Sequence, residues 1–133
     1  MQFEIVGKVT GKARPKVTRH GVYTPKKTVE AEAKIRQAYS DAGGILINGP
    51  VAVSVETFRA LPKSRPKKLV SEPDTYKPDG DNVTKLVLDA LNGVAYADDS
   101  QVVMLSCIKW PRTRCEEKMT VTVCPVKQKR VLQ

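Results

Sequence analysis

The chain has 133 residues and a mass of 14.7 kDa, the size of one domain, with 41% hydrophobic residues for a modest core. Lys and Arg number 23 against 14 Asp and Glu, so the formal net charge is +9 with a pI of about 9.6, a balance that favours a phosphate-bearing partner. Two Phe, four Tyr and one Trp are too few for binding by extended base stacking, and three Cys with a single His supply neither a zinc site nor a disulfide framework.

Taken in chain order, Met1 to about Val9 alternates Phe3 and Ile5 against Gln2, Glu4 and Val6 and predicts a strand. No apolar run of the length of a signal peptide or a bilayer span is present, so the expected location is the cytoplasm. Residues 8–27 mix Gly and Pro with Lys12, Arg14, Lys16, Arg19, Lys26 and Lys27 and predict an irregular basic loop. Thr28 is the expected N-cap of a helix ending at Gly43-Gly44, with Glu30 and Glu32 in its first turn and Ala31, Ile35, Ala38, Tyr39 and Ala42 as its apolar stripe.

Pro50 to Phe58 alternates cleanly through Val51, Val53, Val55 and Thr57 and predicts a second strand. Residues 59–77 carry Lys63, Arg65, Lys67, Lys68 and Lys77 among prolines and predict a long basic loop within one domain spanning 1–133. Asp81 or Asn82 is the expected cap of a second helix that stops at Gly93, with Val83, Leu86, Val87, Ala90 and Leu91 on one face. Gln101 to Trp110 predicts a largely buried strand, Met119 to Cys124 a last strand antiparallel to it, and 126–133 a basic tail. The sum is an α+β fold in which a small mixed sheet packs against two helices.

Acids are gathered where a basic protein has no need of them: Asp79 and Asp81 before the second helix, Asp98 and Asp99 after it. Like charges raise one another's pKa unless a cation intervenes, and oxygen-only donors suit Mg²⁺. Lys85, one helical turn after Asp81, can lean over the acids. The plain alternative is that Asp81 or Asn82 caps a helix, Asp98-Asp99 forms a turn and Lys85 pairs with Asp89. His20 in a basic loop and Cys107 on a strand read as surface and core residues, and Tyr23 and Tyr76 as packing residues.

The run Lys77-Pro-Asp79-Gly-Asp81-Asn82-Val-Thr-Lys85, continued by Leu-Val-Leu-Asp89-Ala-Leu-Asn-Gly93 and by Asp98-Asp99-Ser-Gln101-Val-Val103, resembles the signature of the RusA family of Holliday junction resolvases. Gly11-Lys-Ala-Arg14-Pro15-Lys16 and Tyr23-Thr-Pro25 resemble the N-terminal part of many members, which are commonly encoded by phages and prophages. The resemblance implies a homodimeric, Mg²⁺-dependent endonuclease, with Mn²⁺ as a substitute, that nicks four-way DNA junctions symmetrically in recombination and repair. Carried over by position, Asp79, Asp81 and Asp99 would be catalytic metal-binding carboxylates, Asp98 an accompanying metal-binding acid and Lys85 the catalytic lysine. Gly80 stands where an apolar residue is also found in the family.

The basic residues of the two loops, from Lys12 to Lys27 and from Lys63 to Lys77, would then contact DNA. Two rivals remain open at this point: a non-catalytic basic nucleic-acid-binding module, and a nuclease for other branched or flap DNA.

Overall fold

Strict alternation in Val51–Phe58 makes this strand, β4, the centre of the sheet: Val51, Val53, Val55 and Thr57 are buried on one face. In the computed structural model, which describes residues 1–127, a four-stranded sheet runs in the order β1-β8-β4-β6, with β1 at Gln2–Val6, β6 at Val102–Lys109 and β8 at Lys118–Pro125. β8 pairs antiparallel with both β1 and β4, while β6 pairs parallel with β4, so the sheet is mixed. Its buried face is covered by helices α1 (Lys26–Asp41) and α2 (Gly80–Leu91), giving the expected α+β class. No described helix is long and apolar enough to cross a membrane. The basic tail expected at 126–133 lies, beyond Lys127, outside the described residues.

Several elements differ from their sequence expectation. The strand expected over 101–110 is exposed at most positions, because it is an edge strand; the chain satisfies its length with β-branched and apolar residues but covers only one of its flanks. The last strand does not pair with it but inserts between β1 and β4. The basic loop over 8–27 contains a short hairpin, β2 (Lys16–Thr18) with β3 (Gly21–Tyr23), turned by Gly21 at a φ of 123°. Helix α1 begins three residues earlier than expected, after Pro25, and Thr28 is buried inside it, its hydroxyl accepting the Ala13 N–H at 3.3 Å. Two further short strands, β5 (Ser71–Glu72) and β7 (Arg112–Thr113), pair and tie the 59–77 loop to the end of β6.

That loop is anchored by charge. The Asp74 side chain is fully buried and accepts from Arg59 Nη1 at 3.2 Å, with Lys109 Nζ 4.0 Å away. Lys109 also donates to the Tyr76 carbonyl at 2.6 Å, so the turn 74–76 is held against the ends of β4 and β6. Removing one member of a buried ion pair strands the other charge, a loss of about 3–5 kcal/mol, whereas replacing both by apolar residues is tolerated far better. Urea denaturation should therefore show Asp74→Ala strongly destabilised and the Arg59→Met/Asp74→Leu double variant much closer to wild type. An unchanged midpoint for Asp74→Ala would show that the pair anchors nothing.

Candidate functional site

The spacing of α2 separates two faces. Val83, Leu86, Val87, Ala90 and Leu91 are buried against the sheet, while Asp81, Lys85 and Asp89, at positions i, i+4 and i+8, line a cleft of about 550 Å³ on the other side. The floor of the cleft is the helix-facing side of β6, with Leu105 and Cys107, and Asp99 completes its wall. Gly80 lies close over this floor: a Cβ there would meet Cys107 Sγ at 3.6 Å.

Asp79 is the N-cap residue of α2, two residues before Asp81 and three before Asn82, the two expected caps. It is exposed, its side chain makes no capping hydrogen bond, and it does not line the cleft, although Gly80 beside it does. Asp81 falls in the first turn, where the helix dipole favours a carboxylate. Lys85 is exposed one turn on and makes no ion pair among the described residues.

Asp89 is committed elsewhere. The Lys12 ammonium bridges Glu32 at 2.6 Å and Asp89 at 3.1 Å, linking the N-terminal loop to both helices. Burial alone would lower the Lys12 pKa, but these hydrogen bonds and charges carry it above the ordinary lysine value. The same loop presses on the turn before α2. Gly11 leaves no room for a side chain, since a Cβ would approach the Pro78 Cβ to 2.8 Å and the Asn82 Cβ to 3.0 Å, and the Lys12 N–H donates to the Asn82 carbonyl at 2.9 Å.

Asp98 and Asp99 part company at the far end. Asp98 accepts from the Ser100 hydroxyl at 2.6 Å and caps the 3₁₀ turn Asp99–Gln101, and that hydroxyl bond holds its carboxyl below the usual range. Gln101 pins the turn by donating to the Ile47 and Gly49 carbonyls at 3.0 and 2.9 Å. Asp99 is left facing the cleft. Below it, Tyr96 is fully buried and donates its hydroxyl to the Leu88 carbonyl at 2.7 Å; burial, then the charges of Asp99 and Asp89, push its phenol well above the ordinary tyrosine range.

Among the described residues, no group of three or more His, Cys, Asp or Glu could hold a metal ion. Among the described residues, the carboxylates facing the cleft without a cationic partner are Asp81 and Asp99. In donor chemistry they fit Mg²⁺, which commonly takes one or two carboxylates and completes its octahedron with water and substrate phosphate.

The basic candidates divide. Lys12 is bound as described, Arg65 pairs with Glu72 at 3.2 Å and donates to the Tyr76 hydroxyl at 3.1 Å, and Lys26 lies 3.8 Å from Glu30. Arg14, Lys16, Arg19, Lys27, Lys63, Lys67, Lys68 and Lys77 are exposed, without an ion pair among the described residues. Arg14 and Lys85 share a neighbouring hollow of about 310 Å³ with Asn82 and Asp89. Sequence reading missed Thr84, Ser106 and Cys107 on the lining and Tyr96 near Asp99, and it read Asp89 only as a partner for Lys85, although its i+8 spacing from Asp81 was a usable signal.

The sequence profile of the family described as endodeoxyribonuclease RusA matches residues 7–124. The chain belongs to the RusA family. Both acid ends, the Gly11–Lys16 loop and strands β4 and β6 fall within the region that matches this family, and β1 precedes it. Over 73 residues the RusA-family chain is also 45% identical to uncharacterized protein YqaN of Bacillus subtilis (strain 168), a match spanning 49% of this chain and 51% of that protein. The chain thus spans about half the length of the curated relative it matches.

Tyr96 yields a pH prediction. Its raised folded-state pKa means that its contribution is complete below the unfolded value near 10 and is lost as the pH rises beyond it. Urea midpoints should therefore fall more steeply above about pH 10 in wild type than in Tyr96→Phe, which at neutral pH should cost about 1 kcal/mol for the lost bond to Leu88. Parallel pH curves would contradict this.

Proposed function

We propose that this chain is a metal-dependent endodeoxyribonuclease that resolves four-way DNA junctions by paired nicks, working as a homodimer in the cytoplasm on branched DNA. The observation that carries this reading is the cleft in which a RusA-family chain of net charge +9 presents Asp81, Lys85 and Asp99 together. A capping or turn role accounts for Asp98, and a partner on another helix accounts for Asp89; neither accounts for Asp81 or Asp99.

In this mechanism Asp81 and Asp99 hold the divalent ion, Mg²⁺ or Mn²⁺, with Asp79 adjoining at the helix cap. When bound, the ion polarises a phosphate oxygen and lowers the pKa of a water. Lys85 places its positive charge against the phosphate where negative charge builds in the transition state. The burial of the opposite face of α2 keeps Lys85 and Asp81 in fixed relation through the reaction. Exposed Lys67, Lys68, Lys63 and Lys77, with Arg14, Lys16, Arg19 and Lys27 on the other loop, hold the flanking phosphates.

With a synthetic four-way junction and Mg²⁺, Asp81→Asn and Asp99→Asn should each abolish cleavage while junction affinity is kept or improved, since negative charge near DNA is removed. Parallel loss of binding and cleavage would make the acids structural, and the protein a binding module. A wild type that cuts flaps in preference to four-way junctions would move the substrate assignment, not the chemistry.

Two lysine variants separate roles. Lys85→Ala should lower the single-turnover rate by about 10²–10³-fold with affinity little changed. The Lys67→Ala/Lys68→Ala pair should weaken binding and flatten its log–log salt slope by about 0.9 per lost phosphate contact, leaving the rate at saturation unchanged. If Lys85→Ala loses affinity with its rate intact, it is a docking residue.

A further inference from the structure

Lys85 and Asp89 stand at i and i+4 on the face of α2 that lines the cleft, the separation at which a lysine and a carboxylate meet on a helix. They do not pair. Asp89 lies 3.1 Å from the Lys12 ammonium instead, and Lys85 has no ion pair among the described residues.

The ammonium of Lys12 is not what fastens its own loop. The Lys12 N–H donates to the Asn82 carbonyl at 2.9 Å, Gly11 fits closely against Pro78 and Asn82, and the Ala13 N–H donates to the Thr28 hydroxyl at 3.3 Å. None of these contacts uses the charge. Nor is the side chain free to reach a phosphate, being only 18% exposed. Its charge belongs to a row of alternating sign: Arg36 lies 3.8 Å from Glu32, Glu32 2.6 Å from Lys12, and Lys12 3.1 Å from Asp89. Two cations and two acids cancel. The cleft end of the row is Asp89, which lines both the cleft and the neighbouring hollow that holds Arg14.

Without that ammonium, Asp89 would act on the site in two ways. One turn from Lys85, it would draw the lysine to itself; alone, an exposed pair in this order, lysine first, shifts an equilibrium only about twofold. It would also add a negative charge to the wall that receives the phosphate. Two unit charges a few ångströms apart in water shift an equilibrium about fivefold, an effect that salt screens.

We propose that Lys12 is a positioning residue for cleavage: by holding Asp89, it keeps Lys85 free to meet the phosphate. The inference rests on the nuclease reading above and adds the residue that leaves its lysine unpaired.

A double-mutant cycle between Lys12 and Asp89 tests it. On a four-way junction with Mg²⁺ at low salt, Lys12→Met should lower the single-turnover rate at saturating protein about three- to tenfold. In an Asp89→Asn background the same substitution should cost less than about twofold, and Lys12→Arg, which keeps the charge, should stay within about twofold of wild type. Raising the salt from about 50 to about 300 mM should narrow the Lys12→Met deficit. A role in fastening the loop would give the same loss in both backgrounds with no relief from salt, and would overturn the inference, as would a Lys12→Met rate equal to wild type.

NMR of the Lys85 side chain, without metal or DNA, gives a readout independent of cleavage. Its resonances should move in Lys12→Met and return in Lys12→Met/Asp89→Asn; resonances unmoved by Lys12→Met overturn the inference. Should Lys12→Met fail to fold, the double variant keeps the test open, because it should match Asp89→Asn in rate and in Lys85 resonances, and a slower double variant overturns the inference. A wild type that cuts no junction while the Lys85 resonances behave as expected removes the nuclease reading and leaves the restraint of Asp89 by Lys12 in place.

Discussion

The burial of one face of α2 on the sheet is the constraint from which the site follows. Val83, Leu86, Val87, Ala90 and Leu91 are almost wholly withdrawn from water, each worth roughly 1–3 kcal/mol of transfer free energy, depending on its size. With that face fixed by the 3.6-residue period, the opposite face has no freedom: Asp81, Lys85 and Asp89 must project together over the inner side of β6. The N-terminal loop then closes over the start of the helix through Gly11 and Lys12, and the Gln101 contacts fix the turn that carries Asp99. The site is thus assembled by packing, with no acid needing another acid to hold it.

Charge is distributed with equal economy. Of the acids around α2, Asp89 is neutralised by Lys12 and Asp98 is held by hydroxyl and backbone donors, so the negative potential of the cleft is concentrated at Asp81 and Asp99. A cluster of four uncompensated carboxylates would raise its own pKa values and repel DNA; two leave room for a divalent ion and a phosphate. The buried Arg59–Asp74 pair works in the other direction, holding a basic loop close to the sheet without engaging any of its exposed lysines.

Much of this was legible in the sequence, for identifiable reasons. The alternation of Val51 to Thr57 and the period of Val83 to Leu91 are local patterns with one reading each, and both elements stand where expected. The run from Lys77 to Val103 carried the family resemblance, and the match over 7–124 agrees with it. What failed was non-local. An apolar run such as Val102 to Lys109 looks alike whether it is central or at an edge, because the pairing partner lies far away in sequence. The insertion of β8 between β1 and β4, the Lys12 bridge to Asp89 and the Arg59–Asp74 pair depend on that same topology. The helix starts shifted by two or three residues because Pro25 and Asp79 initiate through backbone geometry, without a side-chain capping bond to mark them.

The central claim is that the acids facing this cleft hold a divalent metal ion. Crystals grown with Mn²⁺ test it directly through the anomalous signal of the metal. The account predicts a peak in the cleft within bonding distance of the Asp81 carboxylate, with an Asp99 carboxylate as a second ligand and water at the remaining positions. A saturating Mn²⁺ concentration that leaves Asp81 without a metal, or that places the ion only at acids outside the cleft such as Asp98 or Asp41, would contradict it.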